Sequence, residues 1–158
     1  MSSEPGAGVT IRAERPDSAA AAALVLELEA ELASLYPDES RHGLSVDRLV
    51  AEGVDFFVLR VDGRPTGCGG LLFVGDDYGE IKRLYARPAS RGLGLGRRML
   101  DHVEDHARRR GYRLLRLETG VRSPEALRLY ERAGFVAIPP FGPYHDDPLT
   151  LCMEKRLA

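Results

Sequence analysis

The sequence predicts an α+β domain, a mostly antiparallel sheet with helices packed against it, and three observations carry that prediction. The hydrophobic pattern alternates between strand-like runs and 3.6-residue helical periods, in the order β-α-α-β-β-β-α-β-α-β-β. Three successive strand-like runs between 55 and 86 are joined only by short turn signals, as in a meander. The last of them, Glu80 to Ala86, leads past Pro88 and a glycine-rich turn into a long amphipathic helix. The 158 residues suffice for one domain with its own core. We expect that domain to span 9–158, after a disordered lead over 1–8.

Each element has a local cause. Val9 to Arg12 reads as a short strand, and Asp17 or Ser18 offers an N-cap for a helix from Ala19 to Leu35. That helix places Ala23, Leu24, Leu28, Leu32 and Leu35 near one face, and Tyr36-Pro37-Asp38 ends it. A short second helix starts at Ser45. Asp55 to Val61 is a strand, Asp62-Gly63 a hairpin turn, and Pro65 to Phe73 the returning strand. Gly67, Gly69 and Gly70 in that strand signal a bulge or close packing. Gly75-Asp76-Asp77 turns the chain into the strand at Glu80.

The helix beginning near Leu95 lines up Leu95, Met99, Val103 and Ala107, with Leu100 beside them, and stops at Gly111, a fitting C′ residue. Tyr112 to Thr119 is the next strand. Ser123 and Pro124 are the N-cap and first residue of a helix that ends before Gly134-Phe135. Val136-Ala137, a proline-rich loop through Pro148, and a strand from Leu149 to Glu154 follow.

Composition excludes several classes. No apolar run approaches the ~18 residues of a membrane helix, so we expect no membrane association. Met1 to Gly8 lack the basic start and apolar stretch of a secretory signal, which points to the cytoplasm. Cys68 and Cys152 make no disulfide framework and read as buried thiols in apolar strands. A formal net charge of -2 argues against nucleic acid, the arginines between 108 and 116 notwithstanding.

The chemistry begins at Arg91-Gly92-Leu93-Gly94-Leu95-Gly96. Glycines bring a ligand close to the backbone, and the following helix offers unpaired amides at the positive end of its dipole, so the turn reads as a phosphate cradle. A dinucleotide fingerprint would need Gly-x-Gly-x-x-Gly after a first strand, and a nucleotide P-loop would end in Gly-Lys-Ser/Thr. Here Gly96 is followed by Arg97-Arg98.

The turn resembles the signature of the GNAT N-acetyltransferase superfamily, Gln/Arg-x-x-Gly-x-Gly/Ala. Leu129-Tyr130-Glu131-Arg132-Ala133-Gly134-Phe135 resembles its second signature, and the element order is the family's as well. The resemblance implies a single-domain bacterial-type member whose sheet splays between its fourth and fifth strands. It implies acetyl-CoA as cosubstrate, with backbone near Leu84, Tyr85 and Ala86 along the pantetheine arm. Arg91, Gly92, Leu93, Gly94, Leu95, Gly96 and Arg97 would surround the pyrophosphate, and Ser123 stands where the family often has Asn. A homodimer is compatible with it; no metal is implied.

Proton accounting supplies the catalytic candidates. An alkylamine with a pKa of about 10.4 must lose a proton before it attacks a thioester. Glu80 precedes Arg91 by eleven positions, a spacing at which the resemblance implies a base, and is the first candidate; Glu118 is the second. A solvent-facing residue beside a turn is the plain alternative for Glu80. Tyr130 sits where the family places its general acid for the departing thiol. The sequence therefore predicts direct acyl transfer to a primary amine of unidentified nature. A module that binds acetyl-CoA without turnover is the alternative.

His102 and His106 share a helical face, but Val103 occupies the glutamate position of a His-Glu-x-x-His zinc motif, so we read both as solvated. Tyr144-His145-Asp146-Asp147, and Tyr36, Asp38 and His42, either wall the acceptor pocket or form polar connections.

Overall fold

Residues 55–86 form the expected meander, and the rest of the sheet grows from it. The computed structural model describes residues 8–158. Its elements are β1 (Val9–Ala13), α1 (Ala19–Leu35), α2 (Val46–Ala51), β2 (Asp55–Val61), β3 (Arg64–Val74) and β4 (Tyr78–Ala86). They continue as α3 (Leu95–Arg109), β5 (Leu114–Gly120), α4 (Pro124–Arg132), β6 (Val136–Ile138) and β7 (Thr150–Arg156), with short 3-10 turns at Asp38–Ser40 and Pro88–Ser90. The element order is the predicted one. The expected disordered lead falls outside the described residues except for Gly8, whose carbonyl accepts from Asp62 N–H.

The seven strands run β1-β2-β3-β4-β5-β7-β6, antiparallel at every pairing except the parallel β4–β5 pair. β2 shows why the sheet is covered on both faces. Alternate residues point to opposite sides. Phe56 and Val58 join Leu24, Val25, Leu28 and Leu49 of α1 and α2, while Phe57 and Leu59 join Met99, Leu100 and Val103 of α3.

Ser18, not Asp17, caps α1, its Oγ accepting from Ala21 N–H at 3.1 Å. The buried stripe of α1 is rotated from the expected one: Ala21 and Val25 lie inside with Leu24 and Leu28, and Ala23 is exposed. β4 starts two residues before Glu80, and β5 starts two residues after Tyr112. The last two strands also run longer than expected, to Ile138 and Arg156.

The glycines of β3 answer to both bulging and packing. Thr66 is the extra residue of β3 opposite Leu59 and Arg60. Gly69 faces two residues of β4, Arg83 and Leu84, because Cys68 pairs Tyr85 while Gly70 pairs Lys82. Arg83 adopts a left-handed φ of 55° at this bulge. Such a conformation in a non-glycine residue persists only where its surroundings hold it. Here the guanidinium is tied to Leu44 O at 2.9 Å and to Glu29 at 2.6 Å.

A methyl group on Gly67 would lie 2.8 Å from the Tyr85 carbonyl oxygen, a backbone atom that cannot swing aside. Gly67→Ala is therefore expected to destabilise the fold by about 1–3 kcal/mol, the usual cost of overpacking. Urea unfolding measures this, and an unchanged midpoint would refute the tight β3–β4 contact.

Candidate active site

β4 and β5 pair only at Gly79–Leu115 and Glu80–Arg116, then part. The backbone groups of β4 that face the gap have no strand partner there, which an extended ligand can satisfy. The gap opens into a cleft of about 1030 Å³ that reaches from Glu80 and Glu118 at its narrow end to the glycine turn and α4.

At the wide end, Gly92 and Gly94 have φ of 87° and 74°, with open space where a side chain would stand. The first bond of α3 runs from Arg98 N–H to Gly94 O at 3.1 Å, so the amides of Leu95, Gly96 and Arg97 precede the helix's own ladder. Leu93 is exposed, whereas Leu95 is buried and anchors the turn to the core. The arginine side chains have protein partners: Arg91 bonds Glu31 at 2.7 Å and Arg97 bonds Asp101 at 3.0 Å. Arg128 and Arg132 of α4 line the cleft here and were not singled out in the sequence.

Ser123 occupies the N-cap position of α4 but makes no capping bond. Its hydroxyl lies 2.9 Å from the Tyr36 hydroxyl, which also accepts from Arg122 N–H at 2.8 Å. A side chain on Gly120 would strike that hydroxyl, so glycine there admits Tyr36. Tyr36 thus ties the end of α1 to the loop that positions α4.

Tyr130 is 6% exposed, lines the cleft and packs edge-on against Phe135, ring centroids 5.7 Å apart. Burial pushes its phenol well above the ordinary tyrosine value, so it stays protonated at neutral pH.

Glu80, with only 4% of its surface exposed, is not the solvent-facing residue of the plain alternative. Its Oε2 accepts from the Tyr144 hydroxyl at 2.5 Å and from Lys82 Nζ at 2.8 Å, and Lys82 also donates to the Tyr144 oxygen at 2.7 Å. Burial, then the Glu80 charge, raises the Tyr144 phenol far above its usual range, which keeps its proton on the bond to Glu80. Lys82 went unremarked in the sequence, although it follows Glu80 by two residues on a strand and so shares its face.

Glu118 accepts from or donates to His42 Nδ1 at 2.7 Å. Burial raises its carboxyl above the usual value of 4.5, and His42 pulls the other way. Of the loop residues left undecided, Tyr144, His42 and Tyr36 line the cleft; Asp147 instead holds Ser40 at 2.7 Å, and Asp38 is an exposed partner of Arg41.

His102 and His106 are half-buried, packed on one side and open to solvent on the other. Both rings meet Phe57 edge-on at 4.7 and 4.9 Å, and His106 bonds Asp55 at 2.8 Å. Cys68 and Cys152 are free and buried as expected; burial pushes the Cys68 thiol up to about 12, too high for a nucleophile at neutral pH. Among the described residues no helix is long and apolar enough to cross a membrane.

Known proteins share this arrangement. The family model described as acetyltransferase (GNAT) family matches residues 22–135. An IAA acetyltransferase of Azospirillum brasilense is 43% identical over 150 residues, 94% of this chain and 98% of the relative. An uncharacterized N-acetyltransferase of Bacillus subtilis, YsnE, is 33% identical across 78% of this chain and 83% of its own length. A Klebsiella pneumoniae crystal structure, provisionally assigned as an acyl-CoA N-acyltransferase, superposes with a TM-score of 0.81 at 35% identity, covering 95% of this chain and 98% of that one. A GNAT family acetyltransferase of Elizabethkingia anophelis with acetyl-CoA bound has the same fold, with a TM-score of 0.72 at 18% identity over 95% of this chain and 99% of its own. The match over most of the chain, together with the parted strands and the glycine turn, establishes that this protein belongs to the GNAT acetyltransferase family.

Proposed function

We propose that the protein transfers acetyl from acetyl-CoA directly to a primary amine, with no covalent enzyme intermediate. One observation carries the reading: a buried phenol, a buried carboxylate and a second, half-buried carboxylate line the same cleft at the parting of β4 and β5. A module that only sensed acetyl-CoA would have no use for that set.

The residues present fit acetyl-CoA. The unpaired edge of β4 at Leu84, Tyr85 and Ala86 suits an extended amide-bearing arm, and the turn from Arg91 to Arg97 offers amides and open space for a diphosphate. Arg128 and Arg132 add positive charge at the same mouth. Ser123, bonded to Tyr36, acts in this reading through the position of α4. When bound, the cosubstrate supplies an activated acetyl group and a thiol leaving group of pKa near 8.5.

The chain's own groups handle the protons. Tyr130 holds its proton at a hydroxyl that faces the cleft and donates it, or a strong hydrogen bond, to the departing sulfur. A carboxylate at the narrow end takes the proton of the attacking amine. Sequence reasoning put Glu80 first; its bonding supports reversing that order. Lys82 and Tyr144 both engage the Glu80 carboxylate, whereas Glu118 meets an imidazole, a group able to pass a proton on.

The test combines calorimetry with CoA and a thiol-release assay with acetyl-CoA over a panel of amines, with IAA as a further arm because of the relative's name. Binding of CoA and an N-acetylated product by mass spectrometry are expected. Absence of CoA binding, or thiol release with IAA and none of the amines, would overturn the proposal.

A further inference from the structure

The acceptor end of the cleft carries an uneven set of charges, and that unevenness selects among amines. Lys82 is neutralised by Glu80 at 2.8 Å. Arg41 pairs with Glu29 at 2.9 Å and with Asp38, and Arg83 pairs with Glu29 at 2.6 Å. These three cations line the same cleft as Glu80 and Glu118, and each already has a carboxylate. Arg122, exposed in the loop beyond Thr119, donates to the Leu35 carbonyl. Glu118 alone among the carboxylates there faces an imidazole in place of a fixed cation. Its side chain is only 11% exposed, so water compensates little of its charge.

We infer that the acceptor is a small cationic amine with no carboxylate beside its amino group, an inference that rests on the amine-transfer reading above. The ammonium of such an acceptor supplies the charge that Glu118 lacks. A zwitterionic α-amino acid supplies it too, but brings a second anion beside the Glu80 and Glu118 carboxylates, where Lys82, Arg41 and Arg83 are already paired. Like charges at close quarters cost several kcal/mol in a poorly solvated site.

Matched pairs test this: alaninamide against alanine, and ethanolamine against glycine, each as kcat/KM in the thiol-release assay. The carboxylate-free member is expected to win by about tenfold or more in both pairs. Glu118→Gln removes the unmatched charge with little change of shape. It lowers both rates, and the ratio between the pair members shrinks to within about threefold. A purely structural role for Glu118 would leave that ratio untouched. Equal or better use of the amino acids overturns the inference while amine transfer stands. A ratio unchanged in Glu118→Gln overturns the charge argument. Turnover of no amine at all, with CoA still bound, removes the amine-transfer reading and this inference with it.

Discussion

Tyr130→Phe is expected to lower kcat by about 10²-fold, equivalent to about 2.7 kcal/mol of transition-state stabilisation, and to leave the affinity for CoA nearly unchanged. The substitution removes one oxygen and keeps the ring, so the contact with Phe135 survives and no cavity opens. The loss falls on the step in which the sulfur departs. Because burial keeps the phenol protonated well above neutral pH, the proposed donor would hold its proton across the whole working range. Its removal should therefore depress the rate at every pH without moving the profile. Calorimetry and saturating thiol-release kinetics on the same preparation separate binding from turnover. Unaltered kcat would remove Tyr130 from the chemistry. A CoA affinity lost in parallel would make it a residue of the binding wall.

The two ends of the cleft were unequally legible in the sequence. The glycine turn could be read because its requirement is local: open backbone at Gly92 and Gly94, and the start of a helix immediately after. Tyr130 was legible for a related reason, since helix, glycine and phenylalanine follow one another along the chain. The narrow end is built from distant segments, and no pattern in the sequence links His42 to Glu118 or Tyr144 to Glu80 across 76 and 64 positions.

Lys82 and Glu104 were hidden in another way. Amphipathic reasoning sends charges outward, yet Glu104 sits among the apolar residues of α3 because Lys155 of β7 reaches its carboxylate at 2.6 Å. The half-burial of the α3 histidines was hidden for the converse reason. Phe57 and Asp55, on a strand some 50 residues earlier, cover part of an apparently solvated face. The bulge at Arg83 was equally out of reach, since its left-handed backbone is held by Glu29 and Leu44 of other elements.

The second large effect distinguishes the two carboxylates. Glu118→Gln is expected to lower kcat by about 10²–10³-fold and to abolish its fall on the acidic side. The sign follows from the role. A base works only when deprotonated, and burial raises the Glu118 carboxyl above 4.5, so activity in the wild type falls as pH drops through that raised value. At saturating substrate kcat reports groups of the enzyme–substrate complex, so the limb belongs to the base and not to the free amine. Glu80→Gln works differently. It strips the carboxylate from the buried Lys82 ammonium, and breaking such a pair costs about 3–5 kcal/mol. We expect a lower melting temperature and a shifted acceptor KM, with the acidic limb of kcat still present. If the limb instead survives in Glu118→Gln and vanishes in Glu80→Gln, the base is Glu80, and the Lys82–Tyr144 pair is the device that tunes it.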